Sequence, residues 1–392
     1  MDQLTDYILW MGDLDFQALP FRDADALILC VISYFDLSPV TGANPQARVR
    51  DCLPMIEAGE ARICITGGDM GNTAIFEAAA RSKRFGDLLI TDYEDILRPE
   101  EDLQFAAVTL RDEGRFLFIA YRGTDSTLTG WKEDFMISFT RTKAQNLAAD
   151  YAARVLTQAS EPVRFIGGHS KGGNQALYAA SLLDEALWDT VTKVYLLDGP
   201  GFCPEVLDTE LVARVDPKAV KIIPEFDIIG KLFETPITET HIVASYRHGL
   251  TQHSLASWLI DHGRLAEVPK HDRLSLWVNE TVDRWIAGIS QEDRVIFIDE
   301  LFDALRAGGK DSLDDMGAED FYKAFVRLSQ VSSVTKQALT ELPKQALQVV
   351  GSILGLGRDA RPPLEGEGEA AAEDAPALTE EPAEDSGAAQ QI

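Results

Sequence analysis

The chain has 392 residues, 45% of them hydrophobic, and carries 64 acidic against 36 basic side chains, a formal net charge of −28. That length suffices for one large α/β domain with appendages, and the apolar fraction suffices for a buried core. The acidic balance argues against nucleic acid as a partner, since phosphate binding needs a basic face, and against electrostatic docking on anionic membranes.

The opening residues, Met1-Asp2-Gln3-Leu4-Thr5-Asp6, show no basic stretch followed by an apolar core, so no signal peptide is expected. No window is apolar for long enough to predict a transmembrane segment. Helical periodicity runs over 23–34, 44–58 and 73–82. The glycine-rich stretch Thr66-Gly67-Gly68-Asp69-Met70-Gly71-Asn72 is neither a phosphate-binding loop nor a dinucleotide fingerprint, and reads as a connector before a helix. Two short β-type runs, 105–110 and 116–121, flank the turn Arg111-Asp112-Glu113-Gly114 and predict a hairpin.

A helix over 143–157 follows, then a strand at 163–166, a helix over 175–183, and strands at 191–197, 219–223 and 240–246. Strands alternating with helices predict a mainly parallel sheet covered on both faces, with ligands bound beyond the carboxyl ends of its strands. From 271 to 357 the pattern is helical, with segments at 274–289, 291–307, 317–328 and 334–353. Trp277, Trp285, Phe297, Phe302 and Phe321 fall at helical spacing there and read as packing. From 358 onward Pro, Ala, Gly and Glu dominate without apolar periodicity, which predicts a disordered acidic tail. The expected organisation is therefore 1–270, 271–357 and 358–392. Cys30, Cys52, Cys64 and Cys203 are scattered and read as free thiols in a reducing cytoplasm. No His, Cys or carboxylate cluster has metal-ligand spacing, so neither metal nor other cofactor is expected.

The chemistry concentrates at Gly168-His169-Ser170-Lys171-Gly172-Gly173. A β-type run leads in and an Ala-rich helix leads out, the setting of a nucleophile elbow. Such a turn lifts the Ser170 hydroxyl above the sheet. The helix start aims free N–H groups, that of Lys171 among them, at the place where negative charge would develop.

A serine hydroxyl needs an imidazole to take its proton and a carboxylate to orient that imidazole. In α/β-hydrolases these follow the serine in the order acid, then histidine. His253 lies on the loop after the last predicted strand, just before a candidate helix start, and is favoured over His248. His241 falls within a strand, and His262 and His271 come later still. Asp227, after the strand at 219–223, is the favoured acid. Asp198, one strand earlier, is the alternative, and Glu225 is a third candidate. The second oxyanion donor is expected from the loop after 116–121, where Thr124 offers its backbone N–H and its hydroxyl.

Tyr121-Arg122-Gly123-Thr124-Asp125, Gly130-Trp131-Lys132-Glu133-Asp134 and the elbow together resemble the class 3 (fungal-type) lipases. They resemble more closely a bacterial lipase-like family of the α/β-hydrolase superfamily, formerly a domain of unknown function. That second resemblance extends to Leu9-Trp10-Met11-Gly12-Asp13-Leu14, Asp198-Gly199-Pro200-Gly201-Phe202, Ile228-Ile229-Gly230 and Gln252-His253, over about residues 1–330. It implies Ser170 as nucleophile, His253 as base and Thr124 in the oxyanion hole.

The resulting expectation is a serine hydrolase acting on carboxylic esters, possibly lipids or acylglycerols, with a small-molecule or lipid ester as its substrate. Thioester or amide hydrolysis on the same triad, and a non-catalytic binding protein on a hydrolase fold, are the alternatives. Two departures from ordinary lipases stand out. Lys171 replaces an apolar residue after the nucleophile, and is expected to pair with Glu133 or Asp134. The stretch 126–145, where a lid belongs, is short and mixed with charge.

Overall fold

Seven strands pair side by side in chain order: β1 (Leu89–Arg98), β2 (Leu103–Asp112), β3 (Phe116–Tyr121), β4 (Val163–His169), β5 (Lys193–Leu197), β6 (Ala219–Pro224) and β7 (Thr240–Val243). In this computed structural model residues 2–341 are described, apart from 204, 234, 272–287, 313–314, 317 and 329. β1 to β3 are antiparallel and β3 to β7 parallel. The predicted hairpin is the β2–β3 pair, in register from Ala107 opposite Tyr121 to Asp112 opposite Phe116.

Every residue of β3 and of β6 is buried, as strands covered on both faces must be. One covering layer holds the helices Asp23–Ile32 and Asn72–Arg81, whose Leu27, Val31, Phe76 and Ala79 pack with Phe118, Phe165 and Tyr195 of the sheet. The other holds Lys143–Gln158 and Lys171–Leu182, with Tyr151, Val155, Leu177 and Tyr178 against Ile119, Ile166 and Val194. This is an α/β-hydrolase fold with a mainly parallel central sheet.

Two elements differ from the sequence reading. β1 goes unrecognised because its sequence, LITDYEDILR, mixes charges through the alternation. It is an edge strand with a bulge between Thr91 and Glu94, where Asp92 takes φ 53°. Charge and bulge are what protect an exposed edge. The helix expected over 44–58 is instead a 3₁₀ turn, Val49–Cys52, followed by the short helix Leu53–Glu57. Proline tolerates only the first turn of a helix, and Pro54 starts the second piece. Val49 N–H also bonds outward to the Leu88 carbonyl (3.0 Å), diverting it from a continuous helix.

The C-terminal helix Gln291–Arg306 starts on Ser290, whose hydroxyl accepts from Asp293 N–H (3.1 Å). Its Phe297, Ile298, Leu301, Phe302 and Leu305 bury against Leu128, Trp131 and Phe139 of the segment that follows β3. Lys132 there pairs with Asp102 (2.6 Å) and Asp299 (2.9 Å). Leu128 N–H donates to the Asp311 carbonyl (2.8 Å) and the Ser312 hydroxyl to the Ser126 carbonyl (3.0 Å), and Thr127 bridges Ser312 antiparallel. The lid position is thus occupied by the helix Leu128–Met136, held from outside.

Helices Ala318–Leu328 and Ser333–Glu341 follow. The helix expected at 274–289 with Trp277 and Trp285, the Phe321 side chain, the end of the last helix and the acidic tail lie outside the described residues. Among the described residues no helix is long and apolar enough to cross a membrane.

The N-terminal layer is pinned by one buried ion pair. Arg84 Nε and Nη2 reach Asp25 Oδ1 (2.8 Å) and Oδ2 (2.5 Å), and the Tyr7 hydroxyl donates to Asp25 Oδ1 (2.9 Å). Both charged side chains are fully buried. Removing one partner strands the other, so Asp25→Ala should lower unfolding free energy by about 3–5 kcal/mol, read by urea denaturation.

Candidate active site

Ser170 joins β4 to the helix Lys171–Leu182 with φ 59° and ψ −128°, backbone angles that a non-glycine residue adopts only under constraint. Two features impose them. Its N–H donates to the Leu197 carbonyl of β5 (2.9 Å). A Cβ on Gly168 would collide with the Gly172 carbonyl, and one on Gly172 with the Tyr121 carbonyl, so only glycines let strand, helix and β3 close up here.

His253 ends the 3₁₀ turn Gly249–His253, beyond β7, and lines the same pocket as Ser170. Its Nδ1 lies 2.6 Å from Asp198 Oδ2. A carboxylate beside Nδ1 calls for a proton there, which leaves Nε2 as the basic nitrogen. Burial pushes the His253 pKa down to about 4. The imidazole is therefore neutral at neutral pH.

The carboxylate facing the histidine is Asp198 and not Asp227, which corrects the sequence-based preference. Asp198 follows β5 directly, in a left-handed conformation (φ 47°), and its side chain meets His253. Asp227 is buried behind it. The two side chains are hydrogen-bonded to each other, and both accept the Gly230 N–H, at 3.0 Å for Asp198 Oδ1 and 2.8 Å for Asp227 Oδ1. Glu225 N–H bonds the Val243 carbonyl, and its side chain lines no part of the pocket.

Thr124, in the loop after β3, lines the same pocket. Its Oγ1 and the Oδ1 of Asp134 are buried, and the two side chains interact there. Burial raises the Asp134 pKa, and the charge of Lys171 and the Thr124 side chain oppose that. The Arg122 guanidinium forks onto Asp95 (2.8 and 2.9 Å) and fixes the start of this loop. Lys171 opens its helix, so its N–H is one of the four left without an intrahelical acceptor.

The Lys171 side chain turns away from the pocket into the core. Its Nζ donates to the Gln104 carbonyl (3.0 Å), to Gln104 Oε1 and to Glu133 Oε2 (3.1 Å), and the pair with Glu133 is almost wholly buried. A cation at a helix start opposes the dipole, and Glu133 offsets it.

The profile of the Mbeg1-like family matches residues 79–303, more than half of the chain and all seven strands. The chain belongs to the Mbeg1-like family. No curated protein matches it. Solved structures that do include a fungal lipase in complex with an inhibitor, described as a model for interfacial activation. That match is 18% identical over 56% of this chain and 77% of the lipase, with a TM-score of 0.36. Another is M37 lipase, 14% identical over 54% of this chain and 70% of that one, with a TM-score of 0.30.

Two supports of this Mbeg1-like site escape a sequence reading. His169 is buried between Tyr34 and His253. Its Nε2 faces the His253 carbonyl (2.7 Å), which can only accept, so Nε2 carries the proton. Nδ1 then accepts from the Tyr34 hydroxyl (2.7 Å). Burial holds the ring neutral, well below the usual histidine range. Its place beside the serine hides it in the elbow motif, and nothing local signals Tyr34, which is 135 residues away.

The second is the glycine-rich connector. Thr66, Gly67 and Met70 form a wall of the pocket with Ile65, Trp131, Ile229 and Leu250. Thr66 Oγ1 donates to the Asp125 carbonyl (2.7 Å) and accepts from Trp131 Nε1 (3.1 Å), tying the connector to the Thr124 loop.

Lys171→Met would leave Glu133 buried without its cation. Expected is a loss of about 3–5 kcal/mol of stability, measured by chemical denaturation, with part of it regained in Lys171→Met/Glu133→Gln. Tyr34→Phe removes the donor to His169 Nδ1 at a cost of about 1–3 kcal/mol, read in the same assay.

Proposed function

We propose that this protein is a serine hydrolase that cleaves carboxylic esters through Ser170, His253 and Asp198. The observation that carries the reading is the left-handed Ser170 at a strand-to-helix turn, sharing one pocket with a His253 whose Nδ1 is held by a buried carboxylate. Ser170 Oγ attacks the acyl carbon while His253 Nε2 takes its proton. The oxyanion meets the N–H groups of Lys171 and Thr124, and the Thr124 hydroxyl adds a third donor. The imidazolium then returns its proton to the departing alcohol. Water, deprotonated by the same nitrogen, releases the acid from the acyl-enzyme.

The pocket, about 190 Å³, supports an acyl substrate: Ile65, Met70, Trp131, Ile229 and Leu250 supply apolar wall, and the polar groups converge at Ser170.

A fluorophosphonate probe should label Ser170 in the folded protein and fail on Ser170→Ala. That variant should lose on the order of 10⁶ in kcat on p-nitrophenyl esters, while a folded wild type that takes no label defeats the hydrolase reading. Esterase activity should also persist below pH 6.5. The base form of His253 survives to about pH 4, and burial raises Asp198 only to about 6. The acid limb of kcat/KM is therefore expected between those values, and a limb above 6.5 would contradict this assignment.

A further inference from the structure

Asp198 and Asp227 are two carboxyl groups in contact, each at most 1% exposed. They close around Gly230: an ideal Cβ there would lie 2.7 Å from Asp198 Oδ1 and 3.0 Å from Asp227 Oδ2. The titratable groups that face the pair come from two elements. His253 arrives from the turn Gly249–His253. Lys221 arrives from β6, its Nζ on the Gly230 carbonyl (2.7 Å).

His253 is neutral at neutral pH, so among the described residues Lys221 is the positive charge beside the pair, and it balances one carboxylate. A second anion at hydrogen-bond distance from the first would be buried without compensation, so the pair keeps a proton. Asp198 already accepts from His253 Nδ1 through Oδ2 and from Gly230 N–H through Oδ1, and both bonds stabilise its charged form. Burial and the neighbouring charge of Asp198 raise Asp227 well above the usual carboxylate range.

We propose that Asp227 is a positioning residue: it carries the single proton of the pair, donates it in a hydrogen bond to Asp198, and so holds Asp198 as an oriented anion beneath His253. The proposal rests on the hydrolase reading above for its kinetic consequence, but not for the protonation itself. It also gives the two strand ends distinct tasks, with the anion after β5 and the neutral acid after β6.

The test compares Asp227→Asn, Asp227→Ala and Asp198→Asn by kcat/KM against pH on p-nitrophenyl butyrate. The infrared spectrum of the unliganded protein is recorded alongside. An asparagine at 227 keeps a neutral donor, so it should cost less than about tenfold and leave the acid limb in place. Alanine should cost roughly ten- to a hundredfold and move the limb upward, because Asp198 loses the bond that favours its charge. Asp198→Asn should cost on the order of 10⁴, as when a triad carboxylate is neutralised. At pH 7 the wild type should show a protonated-carboxyl band that is absent from Asp227→Asn.

The proposal is overturned if Asp227→Asn falls as far as Asp198→Asn, if Asp227→Ala keeps the wild-type rate and limb, or if that band is missing. Should the alanine variant not fold, the asparagine variant and the infrared band decide. Should wild-type Ser170 take no fluorophosphonate, the hydrolase reading fails, and the band still decides where the proton sits.

Discussion

The site hangs from the backbone turn at Ser170. A left-handed serine is unfavourable on its own, and it persists because three neighbours leave no alternative: the Leu197 carbonyl receives its N–H, and Gly168 and Gly172 allow contacts that any side chain would block. The same closeness brings β5 alongside, so the residue after Leu197, Asp198, arrives near the serine without any further device. Asn174, on the outgoing helix, then donates to the Pro200 and Gly201 carbonyls (3.0 and 3.2 Å) and ties down the loop that carries Asp198. Ser170 and Asp198 are thus fixed by one packing event between adjacent strands.

Buried cations tie separate elements together. Arg84 with Asp25 holds the N-terminal layer, Lys171 with Glu133 holds the elbow helix to the segment after β3, and Lys221 balances the carboxyl pair under His253. None is a strong source of net stability, since desolvation consumes most of the attraction, but each is costly to break from one side. Arg84 and Lys171 act geometrically, because each reaches carbonyls and carboxylates from separate elements.

Much of the fold is legible in the sequence because its strands are apolar and its elbow is glycine-bound. Ser170, Thr124 and His253 are found by motif and chain order, and the structure gathers them at one pocket. The choice between Asp227 and Asp198 is not legible, since both follow strands at the correct end of the sheet. It turns on the φ of one residue and on which carboxyl lies nearer, and no spacing rule encodes either. The edge strand β1 is hidden by the charges that keep it from pairing further. The connector around Gly67 looks structureless because its task, walling the pocket, depends on Trp131 and Asp125 far along the chain.

The bridge between Thr127 and Ser312 couples the loop after β3 to the C-terminal segment. The loop that carries Thr124 borrows part of its rigidity from a chain segment almost two hundred residues later. Local opening of the C-terminal helices and disorder at the Thr124 loop are therefore one cooperative fluctuation rather than two. Amide protons around Ser126 and Leu128 would exchange with the free energy of that cover, not with that of the central sheet. In such a design, the pocket around Ser170 loses its order before the sheet melts.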